Sequence, residues 1–209
     1  MIKRTFDILL SLFGIIASLP LWVLFIVLIL LEDGLPVFYV QERIGKGGRV
    51  FKAIKFRSMI KEAEKDVGPV QAVENDPRAT KVGKILRAAA MDELPQLINI
   101  LKGDMSFVGP RALRWVEIEN RNVEIRRLRD HETENQKLGD KDYGVRGKNH
   151  KAMPLEGIPG YHERQSVRPG LTGLAQVYLP TDAPRPQKFH YDLLYLEKKS
   201  FWLDIKLIL

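Results

Sequence analysis

An uninterrupted apolar run near the N-terminus constrains this chain more than any other feature. Residues 8–31 include no charged side chain. As a helix, this run would extend about 36 Å, enough to cross a hydrocarbon core of about 30 Å. It exceeds the roughly 7–15 apolar residues of a signal peptide, and no small-residue cleavage site follows it. The sequence therefore predicts a membrane helix.

Two features favour a helix that enters the membrane and returns to the same side. Pro20 lies in the middle of the run, where its missing N–H kinks a helix. Basic residues flank both ends, with Lys3 and Arg4 before the run and several between Arg43 and Arg57 after it. Both ends therefore have cytoplasmic character. A kinked helix that crosses the membrane is the alternative, because membrane helices tolerate proline.

Charge and cysteine content narrow the classes of partner and chemistry. The formal net charge is +7, which favours anionic partners such as nucleic acid, acidic lipid or a phosphorylated substrate. The sequence has no cysteine, which excludes disulfides, thiolate metal sites and thiol nucleophiles. A membrane-anchored, non-enzymatic protein that binds nucleic acid or acidic lipid is the alternative function. No recognised nucleic-acid-binding motif supports it.

A β-hairpin is predicted directly after the apolar run. Two β-rich runs, 37–40 and 49–56, are separated by the sequence Gly-Lys-Gly-Gly at 45–48. These glycines do not form a phosphate-binding P-loop pattern, and we expect them to supply positive φ angles in the turn. Lys55 and Arg57 would share one face of the second strand. From spacing alone, that face is interpreted as solvated.

Two short helices are predicted next. Apolar residues at helical spacing indicate a helix over 80–90, and a second set follows at Leu94, Leu97, Ile98 and Leu101. Pro95 fits the second helix only in its first turn, which places Asp92 at or beside the N-cap. Gly103 would end this helix.

The adjacent carboxylates Asp92 and Glu93 are the first candidates for chemistry. A helix start stabilises negative charge and presents free N–H groups to phosphate oxygens, so we expect an ionised carboxylate there. Adjacent side chains point in different directions, which lets one attack while the other holds a metal. By spacing alone, however, the simpler interpretation is a capping residue and its neighbour.

The rest of the sequence is less specific. Residues 113–164 are highly charged, with a helix predicted at about 113–129, and three histidines without metal-ligand spacing are interpreted as surface residues: His131, His150 and His162. Proline and two glycines at 168–177 predict tight turns and close backbone approach. The C-terminal segment is amphipathic, so it could lie in the membrane interface or pack on the core.

In their order along the chain, five segments resemble the bacterial sugar transferase family, the monotopic phosphoglycosyl transferases. They are KRTFD with the apolar run and its proline, FKAIKFRSM, MDELPQLINILKGDMSFVGPR, RPGLTGLAQV, and YDLLYL followed by SFWLDIKLIL. The resemblance covers nearly all of the chain except about 113–164. The third and fourth segments are long enough to be highly specific.

The resemblance implies a fold, an activity and a location. The fold would be α+β and mostly helical, with a re-entrant membrane helix (1–34), a small β-hairpin, amphipathic interfacial helices and a cytosolic catalytic domain (35–209) that includes a variable insertion (113–164). The enzyme would transfer a sugar-1-phosphate from a UDP-sugar to a polyprenyl phosphate, usually undecaprenyl phosphate, at the cytoplasmic face of the bacterial inner membrane. Its partners would be these two substrates and the lipid bilayer, with a homodimer left open and no nucleic acid.

The resemblance also assigns roles to residues. Asp92 would attack the β-phosphate and form a covalent phosphosugar intermediate as UMP leaves, and Glu93 would help to hold Mg²⁺. Pro20 would break the membrane helix. The residues that would bind substrate or phosphate are Lys55, Arg87, Arg111, Arg168, Gln176 and Asp192.

The chain departs from the family pattern in three places. Leu19 rather than serine precedes Pro20, and Ala112 follows the Gly-Pro-Arg turn where a second proline is usual. Residues 178–180 replace an Asn-Gly-Arg sequence whose arginine lies near the nucleotide in some members. The contacts to the nucleotide and sugar therefore cannot be carried over directly.

Overall fold

The computed structural model describes residues 2–61, 63, 76–114, 157–180 and 182–209. In these ranges the chain is mostly helical, as expected, with two small two-stranded sheets. The helices are α1 (Ile2–Asp33), α2 (Lys81–Ala88), α3 (Gln96–Lys102), α4 (Leu174–Tyr178), α5 (Arg185–Lys198) and α6 (Phe201–Ile208). The strands are β1 (Phe38–Ile44), β2 (Val50–Phe56), β3 (Ser106–Val108) and β4 (Gly170–Thr172).

Helix α1 reverses the usual distribution of side chains on a surface helix of a soluble protein. Polar residues face the rest of the chain, and apolar residues face outward. The side that faces the rest of the chain buries Asp7, Ser11 and Ser18 together with Phe25 and Ile29. The other side exposes an apolar surface formed by Leu9, Leu12, Phe13, Ile16, Leu19, Leu21, Val23, Leu24, Val27 and Leu30. Water does not stabilise such a surface, whereas lipid does. The length and composition of α1 also satisfy the criteria for a membrane span.

The backbone of α1 is helical on both sides of Pro20, so the predicted bend stays a prediction. Two residues earlier, Ser18 Oγ donates a hydrogen bond to the Gly14 carbonyl at 2.6 Å and accepts one from Trp22 Nε1 at 3.0 Å. Proline frees the carbonyl four residues before it, which is that of Ile16. The Ser18 hydroxyl therefore serves a different carbonyl from the one that Pro20 releases.

The N-terminal end of α1 is fastened to the folded domain by its charged residues. Lys3 Nζ donates to the Val108 carbonyl at 3.0 Å and to Asp204 Oδ2 at 2.5 Å. Arg4 donates to two carbonyls at the C-terminal end of α3, those of Ile100 and Leu101. These contacts fix the start of α1 against β3, α3 and α6.

The C-terminal end of α1 is fastened to the same domain. The Glu32 carboxylate accepts hydrogen bonds from the first two backbone N–H groups of α2, at 2.6 and 2.8 Å. Arg57 Nη2 donates to the carbonyls of Asp33 and Gly34. Arg57 is only 6% exposed, so the predicted solvated strand face is wrong. The burial of Arg57 at this junction could not be seen from strand periodicity.

The predicted hairpin is confirmed. Strands β1 and β2 pair antiparallel, from Phe38 opposite Phe56 to Ile44 opposite Val50. In the turn, Gly47 and Gly48 have φ angles of 66° and 75°, so the glycines supply positive φ as expected. Phe56 packs against the rings of Trp22 and Phe25 at centroid distances of 5.4 and 5.9 Å, which attaches the hairpin to the middle of α1.

The two short helices occur where predicted, but their buried faces differ from the predicted ones. Thr80 caps α2, and Gly103 ends α3 with a φ of 97°. Ile85 is 64% exposed, because eight residues form only about two turns and Leu86 occupies the inner side. Helix α3 lies between α1 and the hairpin, and its buried residues therefore include polar ones: Gln96 and Asn99.

A second sheet was not predicted. Strands β3 and β4 pair in parallel, with Ser106 opposite Gly170 and Val108 opposite Thr172. The second strand lies in the segment for which only turns were predicted. The expected close backbone approach is confirmed, since a Cβ at Gly170 would lie 2.1 Å from the backbone nitrogen of Gly109.

The amphipathic C-terminal segment lies in two helices, α5 and α6. Ser200 caps α6, whose Asp204 and Leu207 are buried against the core while Trp202 is 77% exposed. One face therefore packs on the core, and the other is available to an interface. The helix predicted at about 113–129, with His131 and His150, lies outside the described residues, whereas His162 is exposed as expected.

Candidate active site

A tight backbone turn places the two carboxylates directly after α2. Ala90 has a φ of 53° and a ψ of 20°, a left-handed conformation that is uncommon for a residue with a side chain. The 3₁₀ turn Met91–Glu93 follows, and α3 begins only at Gln96, with Pro95 at its N-cap. The prediction that Asp92 lies at or beside the N-cap of α3 is therefore wrong. Pro95, which has no N–H to donate, occupies the N-cap of α3, and no side chain forms a capping hydrogen bond there.

The lysine of β2 meets both carboxylates. Lys55 Nζ donates a short hydrogen bond to Glu93 Oε1 and lies 3.9 Å from Asp92 Oδ2. Arg111 Nη2 approaches the same Glu93 oxygen at 3.7 Å. The side chains of Lys55, Asp92 and Glu93 are 14–20% exposed, whereas that of Arg111 is 56% exposed. A partly buried pair of carboxylates thus faces two cations, one of which reaches solvent.

The environment separates the pKa values of the two carboxyl groups. Burial raises the pKa of Asp92, and the adjacent Glu93 adds to this effect against the opposing charges of Lys55 and Arg87. Burial also acts to raise the pKa of Glu93, but Lys55, Arg111 and Arg43 outweigh it and hold that pKa below its usual value. A helix start was expected to favour the ionised form of Asp92. Burial, which raises the pKa of Asp92, has the larger effect.

A pocket that is partly open to solvent lies beside these groups. The charged residues that line it are Arg43, Lys55, Glu93 and Arg111. Arg43 was not among the residues predicted for the site. No motif around Arg43 in the sequence indicates a role in the site. The pairing of β1 with β2 brings Arg43 to the pocket. With Arg87 beside Asp92, the site can bind a polyanion such as a diphosphate.

The turn that carries Arg111 is held by its carbonyl groups. Four consecutive carbonyls, from Pro110 to Leu113, accept hydrogen bonds from Gly170 N, Arg164 Nη2, Arg43 Nη1 and Ile44 N. Two of these four donors are arginine side chains. The backbone of Arg111 is therefore fixed, while its exposed guanidinium remains accessible to a ligand.

Three of the predicted binding residues lie outside this cluster. Asp192 is 3% exposed and pairs with Arg164 at 2.8 Å, which orients the guanidinium that holds the Arg111 carbonyl. Arg168 Nε donates to the Gly103 carbonyl at the end of α3 opposite to Asp92 and Glu93. Gln176 Nε2 donates to the carbonyl of Leu171, a residue of the pocket wall. A substrate-binding role for these three stays a prediction.

The carboxylates fit the expected magnesium ion only together with a substrate. Within the described ranges, no group of three or more His, Asp or Glu side chains could hold a metal ion. Mg²⁺ commonly takes one or two carboxylates and completes its coordination with water and substrate phosphates. Glu93 supplies one such carboxylate, so the donor set is compatible with Mg²⁺ bound alongside a diphosphate.

Known proteins resemble this chain over most of its length. Residues 1–139 and 144–209 match the family described as bacterial sugar transferase. A protein of Bacillus subtilis (strain 168), provisionally named as an undecaprenyl-phosphate N-acetylgalactosaminyl 1-phosphate transferase, is 50% identical over 124 residues, which cover 59% of this chain and 69% of that protein.

Two further relatives cover the whole chain. The UDP-N-acetylgalactosamine-undecaprenyl-phosphate N-acetylgalactosaminephosphotransferase of Aeromonas hydrophila is 36% identical over 99% of this chain and 42% of that protein. The UDP-glucose:undecaprenyl-phosphate glucose-1-phosphate transferase of Escherichia coli (strain K12) is 34% identical over 100% of this chain and 39% of that protein. The chain thus spans about two fifths of these two relatives, and it belongs to the bacterial sugar transferase family.

Proposed function

We propose that this chain is a phosphoglycosyl transferase that moves a sugar-1-phosphate from a UDP-sugar to a polyprenyl phosphate. One observation carries the proposal: Asp92 and Glu93 lie together against Lys55 at the edge of a pocket that Arg111 also lines. A nucleophile, an acidic metal ligand and fixed positive charge are the groups that phosphoryl transfer requires. Related proteins that carry such names support the substrate class.

The proposed reaction has two displacements at phosphorus. In the first, a carboxylate oxygen of Asp92 attacks the β-phosphate, the bond from that phosphorus to the bridging oxygen breaks, and UMP leaves with the electron pair. In the second, an oxygen of the polyprenyl phosphate attacks the same phosphorus and releases Asp92. Burial raises the pKa of Asp92, which makes its carboxylate, when deprotonated, more basic than that of an exposed aspartate.

Basic residues would stabilise the negative charge of both steps. Arg111 is fixed by its backbone but exposed at its guanidinium, which suits a bidentate contact to phosphate. Lys55 would bridge the carboxylates and the substrate. When bound, Mg²⁺ would be held by Glu93 with substrate phosphate oxygens and would offset the charge of the diphosphate. The non-enzymatic basic protein considered above finds no support among the related proteins.

The contacts of α1 support a helix with both ends at one membrane face. A helix of 32 residues is about 48 Å long. Lys3 at its start and Glu32 at its end both bind the folded domain, which could not follow a helix across a bilayer to the far side. We propose that the exposed apolar side of α1 lies in the cytoplasmic leaflet of the inner membrane, which keeps Asp92 near the phosphate of its lipid substrate.

Cysteine labelling tests this topology. Because the sequence has no native cysteine, only the introduced thiol can react. Ile2→Cys and Leu35→Cys would place thiols at positions that are 72% and 70% exposed, one at each end of α1. We expect a membrane-impermeant maleimide to label both in sealed inside-out vesicles and neither in right-side-out vesicles. Leu24→Cys, on the apolar side, is the matched control and should react only after detergent is added. Labelling of the two ends from opposite sides would refute the re-entrant arrangement.

Release of UMP from a panel of UDP-sugars tests the function. We expect the full chain in nanodiscs with Mg²⁺ to release about one equivalent of UMP per active site from its preferred donor without acceptor, because the covalent step precedes acceptor attack. Undecaprenyl phosphate should then support continuous turnover. UMP release that strictly requires acceptor would indicate direct transfer without an intermediate. The absence of UMP release with every donor and acceptor would refute the proposed activity.

A further inference from the structure

Asn99 is a buried polar side chain near the candidate active site that makes three hydrogen bonds. It lies in α3 and is 1% exposed. Its Oδ1 accepts a hydrogen bond from Ile54 N at 3.0 Å, and its Nδ2 donates to the Lys52 carbonyl at 2.8 Å and to Asp104 Oδ2 at 3.2 Å. The opposite orientation of the amide would place a donor against a donor at Ile54, so the three contacts define one orientation.

The bonds to Lys52 and Ile54 lie along the outer edge of β2. Alternate residues of a strand direct their peptide groups to opposite edges, and β1 occupies only one edge of β2. Donation to the carbonyl of one residue and acceptance from the N–H two residues later is the pattern that a parallel neighbouring strand would make. The Asn99 amide therefore stands where a third strand would pair.

Asn99 lies between the strand that carries the lysine of the site and the helix that follows its two carboxylates. Lys55 is the residue directly after Ile54 in β2. The carboxylates that it meets, Asp92 and Glu93, belong to the turn that leads into α3. The separation between ammonium and carboxylates therefore depends on how β2 sits against α3, and the described contacts give that junction two hydrogen bonds from a single side chain.

We propose that Asn99 is a positioning residue that sets Lys55 against Asp92 and Glu93, an inference that rests on the proposed function for its effect on turnover. Asn99 touches neither carboxylate. It acts by fixing the strand register from which Lys55 extends. Displacement of β2 along α3 would therefore move the Lys55 ammonium away from both carboxylates.

Neither leucine nor aspartate at position 99 could make both hydrogen bonds to β2. A leucine has the same branching and number of heavy atoms and would fill the space, but it would leave the Ile54 N–H and the Lys52 carbonyl without partners. An aspartate would keep only the acceptor and would place a second carboxylate beside Asp104. An asparagine supplies the donor and acceptor together, without charge.

The test compares Asn99→Leu with Lys55→Met. Zero-length carbodiimide cross-linking of the Lys55 amine to the Glu93 carboxylate at one pH, mapped by peptide mass spectrometry, reports their contact without any need for catalysis. We expect the cross-link to be absent from Lys55→Met and reduced in Asn99→Leu. Hydrogen exchange at the Ile54 amide should also accelerate, and kcat/KM should fall about 10–100-fold.

Two controls separate positioning from general destabilisation. Asp104→Asn changes only the third contact of Asn99, and Ile100→Val shortens a buried side chain of α3 but leaves both hydrogen bonds from Asn99 to β2 in place. We expect both to keep the wild-type yield of the cross-link. Should Asn99→Leu fail to fold, the smaller change Asn99→Ser, which cannot span both partners, replaces it in the same comparison.

The outcomes distinguish this inference from the proposed function. Unchanged cross-linking and unchanged exchange at Ile54 in a folded Asn99 variant would overturn the positioning role, as would an equal loss of cross-linking in Ile100→Val. Absence of UMP release from the wild type would instead refute the transferase activity, and the cross-linking and exchange measurements would still decide the role of Asn99.

Discussion

Asp92→Asn is expected to reduce UMP release by about 10³-fold or more, because an amide cannot replace the carboxylate that attacks phosphorus. The two side chains have nearly the same shape, so the turn Met91–Glu93 should keep its backbone. The measurement is UMP release together with transfer of label from a donor labelled in its β-phosphate. The wild type should carry the label after denaturation in the absence of acceptor, and the variant should not.

A carboxylate outside the site provides the control for this experiment. Asp104→Asn makes the same chemical change in the turn after α3, where the side chain contacts Asn99 rather than the pocket. It should form the labelled protein at nearly the wild-type rate. Wild-type turnover by Asp92→Asn would contradict the covalent mechanism, and label on a peptide without Asp92 would assign the nucleophile to another residue.

Glu93 should behave differently from Asp92 because its surroundings differ. Its pKa is lowered by Lys55, Arg111 and Arg43 although burial opposes them, so it is the more persistently ionised of the two. That suits a metal ligand, which must be deprotonated to bind. Burial raises the pKa of Asp92, so its carboxylate, when deprotonated, is the more basic of the two. The two adjacent carboxyl groups thus divide along the roles proposed for them.

Local sequence signals predicted the elements that depend on local chemistry. The glycine turn of the hairpin and the end of α3 at Gly103 each follow from the conformational preference of one or two residues. The apolar run likewise predicted α1. Its polar buried side could not be predicted, because Asp7 is buried by partners about one hundred residues away, Ser106 and Phe107.

The elements that the sequence missed depend on long-range pairing. Strands β3 and β4 have three residues each, which is too few to show the alternation of side chains that identifies a strand in a sequence. They also pair across more than sixty residues of chain. Asn99 interrupts an apolar helix pattern, and its meaning emerges only from the edge of β2. Asp192 was assigned to substrate from its motif, whereas its observed partner is Arg164.

Gly170→Ala is expected to destabilise the protein by about 4 kcal/mol or more and to abolish UMP release. A Cβ at this position would lie 2.1 Å from Gly109 N and 2.3 Å from the Thr172 carbonyl oxygen, and both are backbone atoms that no side-chain rotation can move aside. Relief therefore requires β4 to separate from β3. That movement would also break the hydrogen bond from Gly170 N to the Pro110 carbonyl, next to Arg111.

The matched control is Gly47→Asn in the hairpin turn. Nothing lies within 4 Å of a Cβ at Gly47, and asparagine tolerates its φ of +66° better than most residues. We expect this variant to lose less than about 1 kcal/mol and to keep its activity. Denaturant unfolding in detergent micelles, with UMP release from the same preparations, compares the two. A free energy of unfolding for Gly170→Ala within about 1 kcal/mol of the wild type would show that β3 and β4 can separate at low cost, and the fixed position of Arg111 would then need another origin.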